Sequence, residues 1–279
     1  MKRLFICGFW FTLMVANSLA AVQIVEPIFR EYEDGPPVAR NAAHLPGDTV
    51  YLTFQIAGFK VEGEERKVHL KYSFEARDPE GLPITEPKKG EVKVELAHED
   101  KDWQPKIRVE APIPDPAPGG TYHLLLAIDD EYGKTEAKQE IPFLVKGRTE
   151  PNPPQITAEH IEFLRHEDDT APLSRPPVYH PGDTLWVRFT FAGYHFGPQN
   201  KFHIQYGLAM KSSEGKVMFT QPTAADLEEK GFYPKRYVPA VFNLRLDKTI
   251  QPGEYVVLLI VRDLVSGDTV EYPETFRVE

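Results

Sequence analysis

The sequence predicts an all-β chain made of two tandem antiparallel sandwiches, and three observations carry that prediction. Residues 46–59 return in related form as residues 181–194, from Pro46-Gly47-Asp48-Thr49 and Pro181-Gly182-Asp183-Thr184 through to Gly58-Phe59 and Gly193-Tyr194. The offset of 135 residues is the size of a whole domain, not of a solenoid unit. Within each copy the apolar residues alternate with polar ones, and Pro/Gly pairs separate the alternating runs.

The first repeated run places Val50, Leu52, Phe54 and Ile56 on one face and Tyr51, Thr53 and Gln55 on the other. Its second copy does the same with Leu185, Val187, Phe189 and Phe191 against Trp186, Arg188 and Thr190. A period of two means a strand with one buried face. Val68, Leu70, Tyr72 and Phe74, matched by Phe202, Ile204, Tyr206 and Leu208, form the next strand, with His69 and His203 on its polar side. Before Thr49 and Thr184, Pro then Gly suits a type II turn, since Pro presets φ and Gly accepts the positive φ that follows. Late in each copy, Pro118-Gly119-Gly120-Thr121-Tyr122 and Pro252-Gly253-Glu254-Tyr255 lead into an apolar strand. In the second, Val256, Leu258 and Ile260 are aliphatic on the face that should be wet, so a cover is expected there: the middle segment of the same domain first, then the other domain, then a partner. Residues 223–231, with Thr223 as N-cap, acidic residues after it and Gly231 as stop, predict a two-turn helix in the second domain.

Residues 1–20 have the composition of an export signal: Lys2 and Arg3, an apolar run over residues 4–15, then Ser18-Leu19-Ala20. The organisation expected is therefore a signal peptide at 1–20, one sandwich over 21–147, a Pro-rich linker at 148–155 and a second sandwich over 156–279. The linker prolines favour extended backbone, hence a semi-rigid spacer. The one cysteine, Cys7, lies in the signal, so core packing must hold both domains without a disulfide. With Lys2 and Arg3 removed the formal charge of −10 becomes −12, and no basic stripe is present. Nucleic acid is thereby disfavoured as a partner, and no membrane insertion is expected after signal cleavage.

The run from Pro-Gly-Asp-Thr through Ala-Gly-aromatic to Pro-Gly-x-Tyr, with a strand ending in Asp130 or Asp263, resembles the immunoglobulin-like and macroglobulin-like sandwich modules of exported bacterial proteins. That resemblance implies spacer, adhesive or binding roles, and a tyrosine corner at Tyr122 and Tyr255. The thioester chemistry of macroglobulins is not implied, because no cysteine follows the signal. Pilus chaperones of the periplasm also pair two such sandwiches; Arg30 and Arg165 follow the first strands here without reproducing their cleft.

No nucleophile elbow, phosphate loop or zinc-protease helix occurs. The acidic runs at Glu99-Asp100-Asp102, Asp129-Asp130-Glu131 and Glu167-Asp168-Asp169 lack the spacing of a calcium loop. Neither a cofactor nor a metal is expected. Tyr51 and Trp186, at matching outward positions, with Arg188, His69 and His203, form the candidate binding set, the histidines being expected to pack across from the aromatics. The function expected is an exported, periplasmic or extracellular, non-enzymatic binding or scaffold protein whose partner is a protein or a cell-envelope glycan. The alternatives are a carbohydrate-binding protein, a periplasmic chaperone or a hydrolase.

Overall fold

A computed structural model describes residues 21–279; the expected signal peptide and Cys7 lie outside the described residues. The first half contributes β1 (Gln23–Arg30), β2 (Ala43–His44), β3 (Thr49–Ala57), β4 (Lys67–Arg77), β5 (Lys88–Glu95), β6 (Lys106–Pro112), β7 (Gly120–Asp130) and β8 (Thr135–Val145). The second contributes β9 (Thr157–Leu164), β10 (Val178–Tyr179), β11 (Thr184–Ala192), β12 (Phe202–Ser212), β13 (Val217–Glu229), β14 (Tyr237–Arg245), β15 (Gly253–Asp263) and β16 (Thr269–Val278). In each half a three-stranded sheet faces a five-stranded one: β1-β3-β6 against β2-β8-β7-β4-β5, and β9-β11-β14 against β10-β16-β15-β12-β13. The strand orders match element for element, and each is that of an immunoglobulin-like sandwich.

The alternation seen in the sequence becomes the core. Val50, Leu52, Phe54 and Ile56 are buried, as are Leu185, Val187, Phe189 and Phe191. One cluster gathers buried residues from Val22 to Val145 around Phe54, Tyr122 and Phe143, and another gathers those from Ile156 to Val278 around Phe189, Tyr179 and Phe276. The Pro-Gly turns before β3 and β11 have the geometry their residues dictate. Asp48 N–H donates to Leu45 O and Asp183 N–H to His180 O, with Gly47 at φ +87° and Gly182 at φ +89°. Tyr122 donates its hydroxyl to Pro118 O and Tyr255 to Gln251 O, each at 2.8 Å and each four residues back, which makes both tyrosine corners. Bulges recur too: β1 breaks register between Val25 and Ile28, and the β9 pairing breaks opposite Arg188 and Thr190, with Glu26 and His160 both left-handed.

The expected helix at residues 223–231 does not form. That segment is the second half of β13, paired with β12 through Ile204↔Leu227, Gln205↔Asp226 and Tyr206↔Ala225. Good helix formers though most of these nine residues are, so short a segment gains little from intrahelical bonds, whereas the exposed edge of β12 offers it a backbone ladder. The only helical turn among the described residues is a 3₁₀ turn at Pro198–Asn200.

β13 also explains the doubly apolar strand. A bulge in the β12 pairing lies between Tyr206↔Ala225 and Leu208↔Gln221, and the intervening backbone folds onto the outer face. A Cβ on Gly207 would stand 2.2 Å from Pro222 O, so only glycine permits that approach. Arg262 Nη1 donates to Pro222 O at 2.9 Å and fixes it. Gly207 lies opposite Ile260, and Leu258, between Ala209 and Pro273, is buried. The same domain's middle segment therefore closes over part of this face.

Candidate binding surfaces and the domain junction

The candidate residues fall into two groups that the sandwich keeps apart. Tyr51 and Trp186 sit on the outer faces of the three-stranded sheets, Tyr51 between Arg30 and Glu110, Trp186 between Leu164 and Asn243. His69 and His203 lie on the outer faces of the five-stranded sheets, so the expected packing against Tyr51 and Trp186 does not occur; His69 meets the Tyr132 ring, with centroids 5.9 Å apart. β3 and β4, like β11 and β12, lie in different sheets, and a period of two reports which side of a strand is wet but not which sheet it joins.

Each histidine instead meets a carboxylate of the neighbouring edge strand. His69 Nε2 stands 2.6 Å from Glu91, and His203 Nε2 stands 2.6 Å from Asp226. Arg188 is likewise occupied. Its Nε and Nη2 donate to Glu162 Oε2 at 3.2 and 2.8 Å, and Nη1 donates to Asp169 O at 3.2 Å. A guanidinium held this way shapes the sheet face more than it offers a free charge.

The two aromatics do line clefts. Trp186 opens onto about 380 Å³ bounded by Arg165, His166, Tyr179, Asp183 and Thr184. Arg165 lines the same cleft as the indole, so the lining combines an aromatic ring with a cation. Tyr51 shares about 420 Å³ with Glu33, Lys88, Arg108 and Glu110, a far more charged lining. A third groove, about 510 Å³, lies on the outer face of the first five-stranded sheet over Ser73, Leu125 and Ala127, with Lys89, Lys138 and Glu140 at its rim.

A further constellation, absent from the candidate set, joins the two halves. Asp78 follows β4, and its side chain is fully buried. Its Oδ1 accepts the Glu80 and Leu82 N–H groups at 2.9 and 2.8 Å, closing a tight turn. Its Oδ2 accepts from the Tyr233 hydroxyl at 2.8 Å and from Arg236 Nη2 at 3.2 Å, both reaching across from the loop between β13 and β14. Arg236 Nη1 donates to Glu80 at 2.5 Å, and the Tyr233 ring packs on the first core. Burial, and then the hydrogen bond to the Asp78 carboxylate, push the Tyr233 hydroxyl far above its ordinary pKa, so it remains a donor at any physiological pH. Nearby, Tyr237 donates to Asp115 O at 3.3 Å, and the Arg148 guanidinium lies 5.5 Å from the Tyr237 ring centre. Sequence spacing gives no hint of a contact spanning 155 residues; an acidic turn residue with a Tyr-x-x-Arg loop is unremarkable until the fold brings them together.

No protein-family model matches the chain, and no curated protein matches it. Among solved structures, the C-terminal domain of the AgI/II polypeptide BspA of Streptococcus agalactiae aligns over 92% of this chain and 100% of its own, at 11% identity and a TM-score of 0.32. The C-terminal domain of Wzt aligns over 46% of this chain and 76% of its own at 10% identity and TM-score 0.31. The alkylpurine DNA glycosylase AlkC of Pseudomonas fluorescens aligns over 45% and 30% at 14% identity and TM-score 0.30. With likeness at this level, the fold assignment rests on strand order and register within this chain.

Proposed function

We propose that the chain is an exported, non-enzymatic binding or scaffold protein that presents two sandwiches at a fixed mutual angle. The observation that supports this is the junction. Tyr233 and Arg236 of the second sandwich converge on the buried Asp78 of the first, so each half supplies groups the other needs. A buried carboxylate with two charge-assisted donors is costly to separate from them, which favours one orientation over free hinging. A fixed angle lets sheet faces and clefts on different domains act on one partner. The test is capture from native envelope extract by the wild type, by Arg236→Ala and by Trp186→Ala/Tyr51→Ala. Loss of capture in either variant, with the fold retained, is expected; equal capture by all three proteins overturns the reading.

Carbohydrate is favoured as the partner class by the Trp186 cleft alone. An indole face beside Arg165, His166 and Asp183 combines a stacking platform with hydrogen-bonding groups suited to a sugar ring. Trp103→Phe leaves Trp186 as the single tryptophan of the described residues. Its emission should shift on titration with envelope polysaccharide, and an unchanged spectrum discards the glycan assignment.

A further inference from the structure

β7 and β15 end on the same side chain in each copy. Asp130 and Asp263 are buried, and each carboxylate accepts three backbone N–H groups. For Asp130 these come from Lys60, Tyr132 and Gly133 at 2.8, 3.1 and 2.9 Å. For Asp263 they come from His195, Val265 and Ser266 at 2.8, 2.9 and 3.4 Å. The bonds pin the loop after β3 or β11 to the turn before β8 or β16, so this carboxylate is oriented before anything else binds it.

The duplication supplies an internal control for what surrounds it. Beside Asp130 the first copy carries Lys60 and Thr135; at the matching places the second copy carries His195 and Asp268. A lysine and a threonine, neither of them among the usual zinc ligands, are replaced by an imidazole and a carboxylate, which are, around a carboxylate whose setting is otherwise the same. His195 Nδ1 lies 3.1 Å from Asp263 Oδ2, and one ligand atom from each of His195, Asp263 and Asp268 lies within 4.8 Å of the others. Two ligands bound at about 2.0–2.1 Å to a tetrahedral zinc ion stand roughly 3.3 Å apart, so the His195–Asp263 pair already has this spacing and Asp268 must close by at most about 1.5 Å.

We propose that His195, Asp263 and Asp268 bind a divalent transition-metal ion of the zinc type, through one imidazole nitrogen and two carboxylate oxygens. This donor set is borderline in softness, which suits zinc over calcium or magnesium. Binding replaces the His195 to Asp263 hydrogen bond, and the Nδ1 proton, where present, leaves to solvent. Three protein ligands leave a fourth tetrahedral position for water or for a donor from a partner. The site adjoins the junction: the hydroxyl of Tyr194, the residue before His195, donates to Lys235 O in the loop that carries Tyr233 and Arg236. A bound ion would therefore tie down the loop against which the junction is built.

The experiment is zinc titration of the purified, chelator-stripped protein by calorimetry, with thermal unfolding followed in parallel. One ion per chain and a raised unfolding temperature are expected for the wild type. His195→Lys/Asp268→Thr, which installs the first copy's own residues, should lose both responses while the stripped protein unfolds as the wild type does. Absence of zinc binding in the wild type, or equal binding by the double variant, overturns the proposal; the latter outcome assigns the ion to other histidines. Should the double variant misfold, Asp268→Thr alone, at an exposed position, must weaken binding, and undiminished affinity in it is equally fatal.

Discussion

The two sandwiches agree in their interiors and part company at their edges. Both keep the Pro-Gly turn before the central strand, the bulged first strand, the tyrosine corner and the buried aspartate that ends the seventh strand. The outer strand of the five-stranded sheet is where they differ. β5 has eight residues and exposes Lys88, Lys89, Glu91, Lys93 and Glu95, a charged edge of the kind that resists pairing with another sheet. β13 has thirteen, folds Pro222 over Gly207, and begins with Val217, Met218 and Phe219 exposed. Interior positions are held by close packing from two sheets at once, so duplication preserves them. An edge strand answers only to one neighbour, and it has been free to lengthen, bulge and change its charge.

The sharpest way to break the likeness is to remove the shared aspartates. Asp130→Ala and Asp263→Ala each remove the protein acceptor of three backbone N–H groups, at about 1–3 kcal/mol apiece for those that water does not reach, with imperfect additivity. A loss of about 4 kcal/mol is expected from each. Urea unfolding in the presence of a chelator should show equal losses in the two variants. A much smaller loss for one would mean that the carboxylates do different work in the two copies.

Next in size is the contact that has no counterpart in either sandwich alone. Arg236→Ala leaves Asp78 buried with one donor fewer, a change worth about 3 kcal/mol where a buried pair is broken. The cost should fall on the coupling between the halves, not on either core. Calorimetry is expected to resolve one unfolding transition into two, and small-angle scattering to show a broader distribution of inter-domain distances. A single transition with unchanged scattering would show that the Tyr233 and Tyr237 contacts suffice.

What the sequence made legible follows the same division. Alternation in residues 46–59 and 181–194 identified β3 and β11 with their buried faces, and the late Pro-Gly-x-Tyr segments located the tyrosine corners, because these features obey local periodicity and turn stereochemistry. β13 escapes a local reading for the reason edges diverge: Thr223, Asp226 and Gly231 make an acceptable helix locally, and only the open ladder of β12 overrides them. The placement of His69 and His203 away from Tyr51 and Trp186 is likewise a property of sheet assignment, which no single strand encodes. His195 and Asp268 lie 73 residues apart and looked ordinary. The available signal was comparative, since aligning the copies sets His195 against Lys60 and Asp268 against Thr135.

Smaller effects sharpen the comparison further. Tyr122→Phe and Tyr255→Phe each remove one hydroxyl bond to backbone, worth about 1 kcal/mol. The two should match in isolation, but Tyr122 is the more completely buried and lies beside the Asp78 junction. An excess loss for Tyr122→Phe that disappears in an Arg236→Ala background would identify the junction as the source of the difference, whereas an excess that survives would place it within the first core.

The smallest expected effect separates the copies by pH. Parallel pairing of β2 with β8 sets His44 beside Val145, the place that Tyr179 takes beside Val278 in the second sandwich. His44 packs near Phe29 and Phe143, and burial pushes its imidazole below the ordinary value of 6.5, only partly countered by Asp48. A depressed histidine takes its proton in the unfolded chain before it does in the folded one. Stability is therefore intact above about pH 6.5 and is lost as pH falls from there through the lower folded value. Tyr179, whose hydroxyl donates to Leu164 O at 2.9 Å, brings no such acid sensitivity. In the Arg236→Ala background, where the halves unfold separately, the transition of the first sandwich should fall more than that of the second between about pH 7.5 and pH 5, and His44→Tyr should remove the excess. Parallel shifts in the two transitions, or an excess that persists in His44→Tyr, would trace acid sensitivity to carboxylates common to both halves instead.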